Sequence, residues 1–152
     1  MKMFLAGQWV DRAQTIDVRD PFDDSLIDTV PAATPEDVET ALAAAAAATV
    51  TARSLNTYQR SQILLRAAAY VGERLEEFAT VIAREGSKTI REARKEARRC
   101  VNTLAISGEE AKRLVGETIL FDSFPGGEAR KGYFERMPIG VVLAITPFND
   151  PL

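Results

Sequence analysis

Hydrophobic and polar positions change rhythm twice along this chain. The opening thirty or so residues follow a period of two. Phe4-Leu5 and Trp9-Val10 flank Ala6-Gly7-Gln8, which predicts two short strands around a tight turn. Thr15-Ile16-Asp17-Val18-Arg19 alternates as a half-buried strand does, Asp20-Pro21-Phe22-Asp23-Asp24 turns the chain, and Leu26-Ile27-Asp28-Thr29-Val30 returns it. Hairpin ribbons are the expected product.

From Thr34 the period lengthens to three and four, and three helices are predicted. The first opens with Thr34 as cap, Pro35 at the first helical position and Asp37 near the positive end of the dipole. Val38, Ala41, Leu42 and Ala45 share one face, and the alanine run 43–48 predicts close packing against a neighbour. The second helix runs from near Thr57 to just before Gly86, with Leu64, Ala67, Val71, Leu75, Phe78 and Ile82 as its stripe. The third runs from about Thr89 to Val115, with Ile90, Ala93, Ala97, Val101, Leu104 and Ala111 as its stripe and Gly116 as its C′ residue.

Past Gly116 the pattern reverts. Phe124-Pro125-Gly126-Gly127 is a loop, and residues 131–137 form a strand with Tyr133 and Phe134 on opposite faces. Arg136-Met137-Pro138-Ile139-Gly140 leads into residues 141–145, which are apolar without alternation. Such a strand is covered on both faces, as in a parallel sheet. That sheet needs further strands and crossover helices, and none remain in this sequence. The polar loop at 146–150 stands where α/β proteins bind ligands.

Composition narrows the chemistry. The chain has 152 residues, 46% of them apolar and 27% charged, with a formal net charge of -3. This suits one ordinary globular unit and argues against disorder or a strongly basic nucleic-acid binder. The absence of histidine removes His-based acid–base catalysis and His metal sites. One cysteine allows no internal disulfide and suits a reducing compartment. With no signal peptide and no apolar run of ~20 residues, a soluble cytoplasmic chain is expected.

Few residues offer themselves for catalysis. Cys100 shares the apolar side of its helix with Ala97 and Leu104, which reads as a small core residue rather than a nucleophile. Arg91, Arg94, Lys95, Arg98 and Arg99 form a basic cluster, broken by Glu92 and Glu96. Pairs Glu92–Lys95 and Glu96–Arg99 at i,i+3 make it a solvated face, and no aromatics interleave it for nucleic-acid stacking. Glu76-Glu77 and Glu109-Glu110 point in different directions on their helices, so neither forms an acid–base dyad. No phosphate loop and no metal-ligand spacing occurs. Asn149 follows an apolar strand and a proline, and its neutral amide suits an oxyanion donor. An Asx-turn over Asn149-Asp150-Pro151 explains it equally well.

Taken in order, these pieces resemble the NAD(P)-dependent aldehyde dehydrogenases. Arg136-Met137-Pro138-Ile139-Gly140-Val141-Val142, followed by Ile145-Thr146-Pro147-Phe148-Asn149, is similar to that family's approach to its first nucleotide-binding strand and oxyanion loop. Ala6-Gly7-Gln8-Trp9-Val10, Asp20-Pro21, Val30-Pro31-Ala32-Ala33-Thr34, Arg60 with Ile63-Leu64, and Leu75-Glu76-Glu77-Phe78-Ala79 resemble successive earlier elements. Glu85-Gly86-Ser87-Lys88-Thr89 resembles the usual Glu-x-Gly-Lys-Pro junction, with Ser87 and Thr89 replacing commoner residues. Asp150 stands where many members carry an aromatic or other residue.

The resemblance implies an α/β fold, incomplete here: β-hairpin ribbons, three helices and the first strand of a Rossmann-like parallel sheet. It divides the chain into residues 1–123, the ribbon and helical part of a cofactor-binding domain; 124–138, bridging strands for oligomerisation; and 139–152, the first Rossmann-like strand and oxyanion loop. It implies NAD or NADP bound along Ile145, Thr146, Pro147, Phe148 and Asn149, no metal, an aldehyde as substrate, and a homodimer or homotetramer without nucleic-acid or membrane partners. The implied reaction oxidises an aldehyde to a carboxylic acid through a thiohemiacetal on a downstream cysteine, with Asn149 donating to the oxyanion and a downstream glutamate activating water. This segment alone lacks nucleophile and base, so by itself it is expected to be inactive. The rival reading is a non-catalytic helical interaction module.

Overall fold

A computed structural model describes residues 1–152. Strands β1 (Met3–Leu5) and β2 (Gln8–Val10) form the first hairpin, with Phe4 opposite Trp9 and their ring centroids 5.1 Å apart. Ala6 and Gly7, both at positive φ, make its two-residue turn, the geometry that matches strand twist. Strands β3 (Thr15–Arg19) and β4 (Leu26–Pro31) form the second hairpin, with Ile16 opposite Val30.

Helix α1 (Pro35–Ser54) starts as its sequence predicts. Thr34 accepts from the Asp37 N–H, and the Asp37 carboxylate accepts from the Thr34 N–H, a reciprocal capping box. Arg12, between the hairpins, donates from Nε to Asp37 at 3.0 Å. Those bonds, Arg12 foremost, hold the Asp37 carboxyl down to about 2. The alanine run departs from expectation. Ala44 and Ala45 are half-buried, whereas Ala43, Ala46, Ala47 and Ala48 are exposed. High helix propensity sustains this segment with little packing.

The long second helix of the sequence pattern is two helices, α2 (Thr57–Glu73) and α3 (Leu75–Gly86), broken at Arg74. Its side chain staples the break: Nε donates to Glu77 at 2.8 Å, and the guanidinium lies 4.9 Å from the Tyr70 ring centroid. Helix α4 (Ile90–Glu110) packs on both. Ser61, Ala68 and Val71 of α2 are buried, as are Ala97 and Gly108 of α4. Gly108 permits this approach, since a Cβ there would lie 3.0 Å from Leu65 Cγ and 3.3 Å from the Ser61 carbonyl oxygen. Ala79, Ile82 and Ala93 form the second cluster, against which Leu152 packs.

Helix α4 ends at Glu110, so Gly116 is not its C′ residue. Gly116 instead leads into β5 (Glu117–Ile119), where a Cβ would collide with the Phe134 carbonyl. A 3₁₀ turn (Phe121–Ser123) follows, and β6 (Gly132–Phe134) pairs antiparallel with β5.

The expected parallel strand does not form. The sheets are three separate antiparallel pairs, and residues 141–145 join none of them. A strand exists through bonds to a neighbour, and this chain supplies no neighbour for them. Leu143 is 83% exposed and Ile145 84%.

Candidate functional site at the α3–α4 junction

The carboxyl-terminal residues return to the helices at one place. Helix α3 is closed by Ser87 in the left-handed conformation, at φ 50 and ψ 31. Two residues later Thr89 caps α4, its hydroxyl accepting from the Glu92 N–H at 3.3 Å. Lys88 lies between these two fixed points, so its stem leaves a rigid corner.

The Lys88 ammonium donates to the Glu96 carboxylate and to the backbone carbonyl of Asn149, and it stands 3.4 Å from Asp150 Oδ1. Glu96 is buried, its side chain 3% exposed, and its other oxygen accepts from the Leu152 N–H at 3.2 Å. Asp150 Oδ1 also meets Arg99 Nη2 at 2.7 Å. The Glu96 carboxylate raises the Lys88 pKa against the opposing effect of burial. Arg99 first, then Lys88, lowers that of Asp150. Glu92, Lys95 and Arg99 join Lys88, Asn149 and Asp150 around a polar hollow of about 410 Å³. A second hollow of about 350 Å³ lies among Phe78, Val81, Ile82, Phe148, Pro151 and Leu152.

Of the site residues singled out in the sequence, Ile145, Thr146 and Pro147 lie in the exposed, unpaired stretch. Phe148 borders the apolar hollow. Asn149 is anchored through its carbonyl oxygen, while its side chain is exposed and makes no hydrogen bond. The Asx-turn alternative lacks a partner: the donor two residues on is Pro151, which has no N–H. That sequence signal was available and decides against this turn.

The Lys88–Glu96 pair is what the pattern reading missed. The i,i+3 spacing pairs Glu96 with Arg99, whereas the structure pairs Glu96 with Lys88 and Arg99 with Asp150. The available signal was a charge among Ala93, Ala97 and Cys100 on the inward side of α4. The other cations of the basic cluster are largely engaged, Arg94 with Glu76 at 2.8 Å and Lys95 with Glu92 at 3.1 Å. Cys100 is half-buried, and that burial pushes its thiol pKa up, the wrong direction for a nucleophile. No group of three His, Cys, Asp or Glu side chains converges to hold a metal ion, and no helix is long and apolar enough to cross a membrane.

Comparison with known proteins carries this geometry further. The model describing the aldehyde dehydrogenase family matches residues 9–152. Aspartate-semialdehyde dehydrogenase 1 of Pseudomonas canavaninivorans is 42% identical over 137 residues, covering 90% of this chain and 29% of that protein. Aldehyde dehydrogenase 21 from Physcomitrella patens, solved with the reaction product succinate, matches with a TM-score of 0.93 at 32% identity, over 99% of this chain and 32% of that one. The NADP-dependent glyceraldehyde-3-phosphate dehydrogenase from Bacillus halodurans, complexed with NADP, gives a TM-score of 0.91 at 32% identity, again over 99% and 32%. The chain thus spans less than a third of the length of these relatives. With nearly all its residues inside the family match, the chain belongs to the aldehyde dehydrogenase family.

Proposed function

We propose that this chain forms the amino-terminal portion of an NAD(P)-dependent aldehyde dehydrogenase, oxidising an aldehyde to a carboxylic acid, and that Asn149 supplies an oxyanion donor. One observation carries the reading: the Asn149 side chain is exposed and unpaired while its backbone is tied down. A donor aimed at developing charge needs those two properties, a free N–H and a fixed origin. An amide meets the oxyanion of a tetrahedral adduct without bringing a charge that must be desolvated.

The cofactor fits the same stretch. Ile145 and Pro147 offer apolar surface to a flat ring, and Thr146 offers a hydroxyl. Nothing within the chain covers them. NAD or NADP, when bound, supplies the hydride acceptor. Residues 145–149 bind and orient its reactive half in this reading, and Asn149 polarises the carbonyl oxygen of the substrate. Residues 1–123 form the ribbon and helical part of the cofactor domain, 124–138 the bridging strands of a homodimer or homotetramer, and 139–152 the strand and oxyanion loop. The nucleophilic cysteine and the base come from elsewhere in the enzyme, so this segment alone is inactive, and the enzyme works in the cytoplasm.

In the full-length enzyme carrying this chain, Asn149→Ala should lower kcat by about 10²–10³, roughly 2.7–4 kcal/mol, the scale of one lost oxyanion donor. Asn149→Asp should be at least as harmful, because a carboxylate repels the oxyanion. Steady-state kinetics beside thermal melts check both, and an Asp variant with unimpaired turnover would remove the reading.

A further inference from the structure

We propose that Lys88 and Glu96 are positioning residues for the oxyanion donor: their ion pair fixes the backbone of residues 149–152, and through it the origin of the Asn149 amide. This rests on the reading of Asn149 above and extends it to side chains that touch neither substrate nor cofactor.

The bonds fall at the two ends of the segment. Lys88 holds the carbonyl of Asn149 itself, and Glu96 holds the N–H of Leu152 three residues on. Between them, Asp150 is gripped by Lys88 and Arg99. Residues 135–148 make no hydrogen bond to the rest of the chain, so the loop takes its placement from these contacts and from Leu152 packing beside Ala79, Ile82 and Ala93.

The chemistry of the pair matches that task. An ammonium has three N–H donors, and Lys88 has three acceptors within reach: Glu96, the Asn149 carbonyl and Asp150. A carboxylate has two oxygens, and Glu96 spends one on Lys88 and the other on the loop. Stability alone does not account for a carboxylate buried to 3% exposure, since apolar groups of similar volume commonly serve a core as well. Here the buried Glu96 and the half-buried Lys88 reach out of the helical layer to orient a stretch that joins no helix or strand, and the αL turn at Ser87 with the Thr89 cap fixes the origin of Lys88.

The test uses the full-length enzyme. Lys88→Met with Glu96→Gln leaves no unpaired charge, and the Gln oxygen still accepts from Leu152. Lys88→Arg keeps the ion pair as a second, gentler variant, but its planar fork cannot put one nitrogen on all three acceptors. The Met/Gln variant should lose about 10²-fold in kcat, the cost of a misplaced group. The Arg variant should lose roughly tenfold by the same misplacement. In an Asn149→Ala background, either change should cost less than about threefold further, because the donor it positions is gone. A purely structural pair predicts the same fold-loss in both backgrounds. Equal losses, or unchanged kcat in the Arg variant, overturn the inference. An Asn149→Ala variant with unchanged kcat instead overturns the reading of Asn149 itself, so the two failures are distinguishable.

Discussion

Helices α2, α3 and α4 and the stretch from residue 135 to residue 148 are both rich in apolar residues, yet they end in opposite conditions. In the helices the stripe residues Val71, Ile82, Ala93 and Ala97 are buried. In the stretch, Ile139, Leu143 and Ile145 are each more than 80% exposed. The difference lies in where backbone hydrogen bonds come from. A helix satisfies its own N–H and C=O groups and needs neighbours only for one face. A fully apolar strand needs partners on both edges and cover on both faces. Apolar residues thus become a core in one region and an open surface in the other, and the residues expected to carry chemistry, 145–149, lie at the end of the open one.

The largest expected effect tests that contrast directly. Ile82 is 4% exposed inside the Ala79–Ala93 cluster, so Ile82→Ala in this chain should cost about 2–5 kcal/mol, as core truncations do. Leu143 is 83% exposed, and Leu143→Ala should change stability by less than about 0.5 kcal/mol. Urea unfolding followed by circular dichroism measures both. Similar losses at the two positions would mean that residues 141–145 are covered in solution.

A finer version lies within the helical layer. A Cβ at Gly108 would press on Leu65 and the Ser61 carbonyl, whereas one at Gly72 would meet Val101 at an ordinary 3.9 Å. Gly108→Val should therefore cost about 1–3 kcal/mol by overpacking. Gly72→Ala should gain roughly 0.5–1 kcal/mol from the relief of glycine's backbone entropy. If both variants move the urea midpoint in the same direction, α2 and α4 do not approach as closely as the buried Gly108 indicates.

These positions also show what a sequence discloses. The α2–α4 stripe and the Thr34 cap are legible because local period and local hydrogen bonds create them. The break at Arg74 is not, since Val71, Leu75, Phe78 and Ile82 keep their spacing across it. Strand β5 is hidden because Glu117-Thr118-Ile119 is too short to show a period. Residues 141–145 are expected as a strand from their apolar run, and the structure shows none, because forming one takes a neighbour that the stretch cannot contain. At the site, Asn149 was legible as a candidate only, through its place after an apolar run. The group that holds its backbone was not, because Lys88 lies 61 residues away and only the folded chain brings them together.

The smallest effect concerns the hairpins, which share the strand's need for an outside anchor and find one in Arg12–Asp37. The Asp37 carboxyl is depressed to about 2 from an ordinary 3.8. A lowered carboxyl pKa stabilises the fold above the ordinary value, and that contribution is lost as pH falls through the folded one. The window is therefore about pH 4 down to about pH 2. Within it the tie between the hairpins and α1 should loosen while α2 to α4 keep their helicity. Trp9, the single tryptophan, reports on the first hairpin, and far-ultraviolet circular dichroism reports on the helices. Several other carboxyls are also depressed, by Arg94 at Glu76 and by Arg99 at Asp150, so wild type must be compared with Asp37→Asn. In the variant the fluorescence change across this window should be smaller, because residue 37 no longer titrates. Fluorescence and helicity falling together in both proteins would mean that the hairpins and helices unfold as one unit, and that Arg12–Asp37 is not a separate anchor.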